Sequence, residues 1–226
     1  MLTLHRADLV LPVAAPPLPD GAVAVRDDRI AAIGPYQELA AAHPEARTRV
    51  WHGVLTPGLR NPHGHRLLEH AYHPDPRDAD RLGTEPVTGA ALAALDPDAA
   101  AWGGSARRGL QLMLRHGTTA VAGPFERAAV RTAVSRSGLV PLPAPAADPG
   151  FDPRPGFDLL SGAPLAAAAH GPLAPGGRAD LAVFDVPLPD GPPAADPAAA
   201  EALLRAAGAG CCIATVLAGR LVHRRR

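Results

Sequence analysis

Two histidines separated by one residue are the clearest candidates for chemistry in this chain. His63 and His65 flank Gly64 shortly after the apolar run Val50–Leu55. We predict that this pair lies on a strand, where alternate side chains share a face, so that both imidazoles point the same way. Two imidazoles at that spacing can hold one divalent metal ion, zinc or iron. A bound metal ion would lower the pKa of its water and polarise a carbonyl or amidine group.

A catalytic metal site needs further ligands, usually three protein side chains in all and one open position. The nearest candidates in the sequence are His70 and His73, with Glu69 beside them. On a helix, Glu69 and His73, or His70 and His73, would share a face. A cluster of His63, His65, His70 and His73 could then bind a metal by itself, and the alternative is that His70 and His73 are ordinary loop or surface histidines. The catalytic residues remain unknown at this stage.

Composition excludes several other chemistries. All 22 basic residues are arginine and there is no lysine, so neither a carbamylated lysine nor a lysine Schiff base can form. The formal net charge of +0 argues against a broad basic field for nucleic acid or an anionic membrane. The run Arg224–Arg226 is interpreted as a solvated tail.

Targeting and redox signals favour a cytoplasmic protein. No stretch approaches the roughly 20 apolar residues of a membrane helix, and we expect no export signal because Asp8 interrupts the first apolar run. Cys211 and Cys212 are the only cysteines, and a bridge between neighbouring residues is strained. We therefore predict two buried thiols in a reducing compartment.

Both ends of the chain have β character. The runs Ala22–Arg26 and Arg29–Gly34 flank Asp27-Asp28, which predicts a hairpin. Near the other end, Ala179–Asp185 and Cys211–Leu217 are predicted strands, and the second turns back through Ala218-Gly219.

The middle of the chain alternates between helix and strand. Ala99–His116 has helical spacing and Gly117 ends it, after which Thr118–Ala122 is a buried-strand candidate. Glu126–Ser137 predicts a second helix, and Leu139–Leu142 a further short strand. This alternation is typical of βα units on a parallel sheet. The following Pro-, Ala- and Asp-rich stretch is a predicted linker.

These segments resemble four motifs of the metal-dependent amidohydrolase superfamily, in the same order. LTPGLRNPHGH (residues 55–65) is similar to its His-x-His signature, and VRDDRIAAIG (25–34) to the hairpin that precedes it. LAPGGRADLAVFD (173–185) resembles the return to the small β domain, and VLAGRLV (216–222) the final hairpin. The nearest branch is that of imidazolonepropionase and aminofutalosine-deaminase-like proteins.

The resemblance implies an α/β fold class. A composite β-sandwich would be built from both termini, residues 1–57 and 172–226, around a truncated (β/α) barrel-like insert at residues 58–145, with a linker at 146–171. Roughly 115 residues lie between Gly58 and Pro172, whereas a closed eight-stranded barrel takes ~250 and at least ~200. Most of the barrel is therefore missing.

The resemblance also implies an activity. Members of the family cleave C–N bonds, so this chain would be a hydrolase of carbon–nitrogen, non-peptide bonds in a small cyclic amide or amidine, acting through a metal-bound water. The alternatives are a non-catalytic pseudoenzyme, or binding or regulatory module, that retains the fold, and a gene remnant that folds poorly. Because unpaired strand edges are sticky, we expect a homo-oligomer or a partner chain that covers them.

Overall fold

A computed structural model describes residues 1–144, 156–188 and 197–225. The strands in these ranges are β1 (Leu2–Val10), β2 (Leu18–Arg26), β3 (Arg29–Pro35), β4 (Arg47–Pro57), β5 (Leu59–Asn61), β6 (Ala71–Tyr72), β7 (Val87–Thr88), β8 (Thr118–Ala122), β9 (Val140–Leu142), β10 (Leu181–Phe184), β11 (Cys212–Leu217) and β12 (Arg220–Arg224). The helices are α1 (Tyr36–Ala42), α2 (Gly64–Glu69), α3 (Ala79–Leu82), α4 (Gly89–Leu95), α5 (Ala99–Arg115), α6 (Ala128–Ser137), α7 (Leu165–Ala168) and α8 (Pro197–Ala207). No helix in these ranges is both long enough and apolar enough to cross a membrane.

The chain forms two compact units. The first comprises Met1–Arg60, Leu114–Thr119 and Asp158–Arg226, and the second comprises Asn61–Met113 and Ala120–Phe157. Of the predicted linker, residues 146–155 lie outside the described residues. Its later part belongs to the first unit, where Leu160 and Leu165 are buried.

A seven-stranded mixed sheet organises the first unit, in the order β12-β11-β10-β4-β1-β2-β3. β1 and β4 are parallel, whereas β10 is antiparallel to β4, so that strands from both ends of the chain share one sheet. The two flanking hairpins turn where the sequence predicts: Asp27 has φ 55°, and Ala218 and Gly219 have φ 48° and 75°. At the β11–β12 turn both central residues have positive φ, which matches the twist of the strands in a two-residue hairpin.

The two faces of this sheet carry two separate apolar clusters. Leu181 and Val183 pack in one cluster with Trp51, while Ala182 and Phe184 pack in the other. Alternate side chains of a strand point to opposite faces, and both faces of β10 are buried. The mixed α/β class is thus confirmed, and strands from both ends of the chain belong to one seven-stranded mixed sheet.

Helix and strand alternate through the middle of the chain as expected. α5, β8, α6 and β9 follow one another, and β8 and β9 pair in parallel in a three-stranded sheet of order β5-β8-β9. Gly117 and Gly138 have φ 77° and 80° and end the two helices in a conformation that glycine adopts at little cost. Within the described ranges, this sheet has three strands.

The cysteines are free, as predicted, but only one is fully buried. Cys212 is buried and Cys211 is partly exposed. Burial raises the pKa of the Cys212 thiol to about 11, and burial likewise raises the pKa of Cys211. Both thiols are therefore protonated at neutral pH and poor nucleophiles.

Candidate functional site

The His63–His65 segment lies in a turn and the start of a helix, so the prediction that it lies on a strand is wrong. β5 ends at Asn61, whose side-chain oxygen accepts the N–H of His63 at 2.9 Å. His63 occupies the N-cap position of α2, and His65 is the second residue of that helix. An asparagine that bonds the backbone two residues ahead makes a local turn, and this bond ends the strand before the histidines.

A close approach to β8 explains the glycine between the two histidines. A Cβ on Gly64 would overlap the Val121 side chain. Any larger residue at position 64 would push the beginning of α2 away from β8. Packing against β8 therefore explains why this position is glycine.

Both histidines are held in the neutral form. Burial, followed by the nearby Arg66 guanidinium, lowers the pKa of His63. Burial also lowers the pKa of His65, together with Arg66, His70 and His63, while Glu69 acts weakly in the opposite direction. A neutral imidazole is the form that binds a metal ion. The site thus has ligand-competent histidines at neutral pH.

His65 has an unused ring nitrogen. Its Nδ1 is buried and makes no hydrogen bond within the described residues. The ring of His70, at the C-cap of α2, meets the His65 ring edge-on with centroids 6.3 Å apart. A buried polar atom without a partner is costly, and here it is an atom that could ligate a metal.

His73 lies beyond the end of α2, which stops at Glu69. Its Nε2 lies 2.8 Å from the carbonyl oxygen of Leu67, and its backbone N–H donates to Ser105 Oγ at 2.9 Å. Since a carbonyl can only accept, Nε2 carries the ring proton and donates. The His73 ring is 3% exposed and anchors the chain after α2.

Glu69 also has a structural partner. Its carboxylate accepts the backbone N–H groups of Glu126 at 2.9 Å and Arg127 at 2.7 Å, immediately before α6. The side chain therefore caps a helix from a distant part of the sequence. The i,i+4 relation to His73 considered from the sequence does not exist, because no single helix contains both residues.

The described residues fit a two-histidine metal pair and not a complete catalytic centre. Among them, no group of three or more His, Cys, Asp and Glu side chains is arranged to hold a metal ion. The four-histidine cluster is therefore not assembled in this part of the chain. Metal binding by His63 and His65 remains a prediction, supported by the unpartnered Nδ1 of His65.

A second polar cavity, in the first unit, was missed by sequence reasoning. His170, Arg178 and Asp180 line a space of about 250 Å³ beside Gly58. Asp180 accepts the N–H of Ala218 at 2.8 Å, which holds the β11–β12 turn. Burial raises the pKa of Asp180, whereas the Ala218 N–H and the Arg178 guanidinium, 3.2 Å away, act to lower it. The loop that brings His170 near Asp180 has no periodic pattern in the sequence by which this pairing could be found.

Comparison with known proteins gives a local family match and a fold. Residues 21–46 match the imidazolonepropionase-like composite domain of bacteria, which covers the β2–β3 hairpin and α1. Escherichia coli guanine deaminase has a TM-score of 0.66 at 10% identity, with 100% of both chains covered. No curated protein matched the chain in sequence.

Other solved structures match over part of their length. Ochratoxinase of A. niger has a TM-score of 0.43 at 22% identity, covering 65% of this chain and 32% of that one. Helicobacter pylori aminofutalosine deaminase has a TM-score of 0.37 at 17% identity, covering 63% and 33%. The chain thus spans about a third of the length of these two proteins.

Together these findings give a local similarity and a fold. Residues 21–46 are similar to the imidazolonepropionase-like composite domain, and the chain has the fold seen in E. coli guanine deaminase. This confirms the resemblance found in the sequence motifs.

Proposed function

We propose that this chain is a hydrolase of carbon–nitrogen, non-peptide bonds in a small cyclic amide or amidine. His63 and His65 would hold a divalent metal ion, zinc or iron, whose bound water is the nucleophile of such reactions. The observation that carries the proposal is the buried, unpartnered Nδ1 of His65 next to a second neutral histidine. The amidohydrolase-like fold supports it.

Further ligands must come from outside this pair. The Glu69 carboxylate is committed to two backbone N–H groups. His73 donates its Nε2–H to the Leu67 carbonyl, and its buried Nδ1 has no hydrogen-bond partner within the described residues. We propose that a second copy of this chain or a partner chain covers the open strand edges and completes the site. The free cysteines fit the proposed cytoplasmic location.

A non-catalytic binding or regulatory module is the second candidate function. It is favoured by the lack of a three-ligand group among the described residues. On this alternative, His65 would be a remnant of the motif, and its removal would leave both the fold and the role of the protein intact.

Metal content decides between the two. Protein purified without chelator would be analysed by elemental mass spectrometry, beside His63→Ala/His65→Ala and the control His52→Ala, which removes an exposed histidine of the first unit. We expect about one zinc or iron per chain in the wild type and the control, and none in the double variant. Cyclic amides and aminated bases would then be screened as substrates. A metal-free wild type would refute the hydrolase proposal and leave the binding module.

A further inference from the structure

Three arginines lie near one another where β4 begins and β12 ends. Arg47, Arg49 and Trp51 alternate along this strand, so their side chains share a face. Arg224, at the end of β12, places its Cζ atom 5.8 Å from the centre of the Trp51 ring. We call Arg47, Arg49 and Arg224 the arginine triad. All three belong to the first unit.

The arginine triad has no acidic counterpart. Within the described residues, none of its members forms an ion pair with a carboxylate, whereas other arginines do: Arg6 pairs with Asp20 at 2.6 Å and Arg225 with Asp185 at 3.7 Å. Arg224 and Arg225 are exposed to solvent, as the sequence predicts, although Arg224 is still part of strand β12. Arg226 lies outside the described residues.

The charges of the arginine triad repel one another. Burial lowers the pKa of Arg49, and the positive charges of Arg47 and Arg224 lower it further. The neighbouring His5 adds no charge at neutral pH, because burial, and then Arg49, lowers its pKa to about 4. This is a local concentration of positive charge on a chain whose formal net charge is +0.

The Trp51 side chain packs beneath Arg224, but it offers no exposed ring face on which a nucleic-acid base could stack. Trp51 is 6% exposed, donates its Nε1–H to His5 Nδ1 at 3.2 Å, and stacks on the His5 ring with centroids 6.1 Å apart. Single-stranded nucleic acid needs aromatic faces that bases can reach, and this one is covered. The surface therefore suits a compact anion better than a base or an RNA strand.

We propose that the arginine triad binds a soluble small molecule through a phosphate or diphosphate group. Guanidinium groups form charge-assisted, paired hydrogen bonds with phosphate oxygens, and a group with several oxygens can engage three of them at once. The negative charges of such a ligand would offset the repulsion between the three guanidinium groups. A single carboxylate, with one negative charge, would offset only part of it. The arginine triad lies at the beginning of β4, whereas the candidate metal pair follows the end of β4 in the sequence. The anion-binding proposal therefore does not depend on the proposed hydrolase function.

Sodium pyrophosphate is the probe for this site. Isothermal titration calorimetry at low ionic strength would compare the wild type with Arg47→Gln/Arg49→Gln/Arg224→Gln and with the control Arg220→Gln, which removes an exposed arginine from the same strand β12. We expect the triple variant to bind at least about tenfold more weakly, and the control within about twofold of the wild type. Arg47→Gln alone serves if the triple variant folds poorly, since it leaves the Arg224–Trp51 contact in place.

Three results would overturn the proposal. The first is no pyrophosphate binding to the wild type. The second is an equal loss of affinity in Arg220→Gln, which would indicate diffuse charge and not a site. The third is sedimentation of the protein with phosphatidylglycerol vesicles in the absence of pyrophosphate binding, which would point to a lipid surface.

Discussion

Replacing Glu69 by alanine should destabilise the second unit, because this side chain caps a helix that begins 59 residues later in the chain. The carboxylate is 6% exposed and accepts two backbone N–H groups, from Glu126 and Arg127. The N-cap residue of α6, Arg127, makes no capping bond with its own side chain. Glu69 therefore supplies the acceptor that the local sequence lacks.

The cost follows from the two bonds. Hydrogen bonds to a charged group contribute about 1.5–3 kcal/mol each, and a negative charge at a helix N-terminus adds about 0.3–1 kcal/mol. Because the two bonds share one carboxylate and are not additive, we expect Glu69→Ala to cost about 3 kcal/mol of unfolding free energy. Glu69→Gln keeps one acceptor oxygen, so its cost should be about half of that.

Urea unfolding followed by far-UV circular dichroism measures this effect. The matched control is Glu126→Ala, which removes an exposed carboxylate but keeps the N–H that Glu69 binds; its cost should stay within about 1 kcal/mol. An equal cost for Glu69→Ala and Glu126→Ala would refute the capping argument. A loss of bound metal in Glu69→Ala without a loss of stability would instead identify Glu69 as a ligand.

Two further predictions concern the first unit. The pKa of His5 is about 4 in the folded chain, against 6.5 for a solvent-exposed histidine, so the unfolded state takes up the proton first as the pH falls. The contribution of neutral His5 to the unfolding free energy should be fully present above pH 6.5 and should decrease by roughly 3 kcal/mol towards pH 4. Urea titrations at several pH values should show a flatter dependence of the unfolding free energy on pH in His5→Gln than in the wild type. Parallel pH dependences would contradict the role given to His5. Gly58→Ala should cost about 2 kcal/mol or more of unfolding free energy, because a Cβ there would overlap the Thr119 side chain. Gly34→Ala, where a Cβ meets no atom within 4 Å, should be close to neutral in the same urea unfolding assay, and equal costs for the two variants would argue against the clash.

The candidate metal pair shows how the local geometry of a short motif can differ from the geometry that its spacing predicts. His63 and His65 lie close in sequence, and Arg66 and burial lower the pKa of both. Their direction, however, depends on the Asn61 bond that ends β5 and on the contact of Gly64 with β8. The remaining metal ligands could not be inferred from spacing, because His70 and His73 follow a helix end.

The sequence by itself determined the local elements. The β2–β3 hairpin, α5, β8 and the glycines that end α5 and α6 were all predictable, because hydrophobic period and turn residues act between close neighbours. The four motifs in order also predicted an amidohydrolase-like fold. These features depend on interactions within about one turn of helix or one hairpin.

Only the tertiary structure decided which polar groups meet. Glu69 reaches Arg127, His170 approaches Asp180, and Arg224 covers Trp51. Such contacts are made when the elements pack, and nothing in the local pattern of either partner records them. For that reason the sequence could name candidate residues, whereas the three-dimensional arrangement determined which of them cap helices, which anchor loops and which remain available for a ligand.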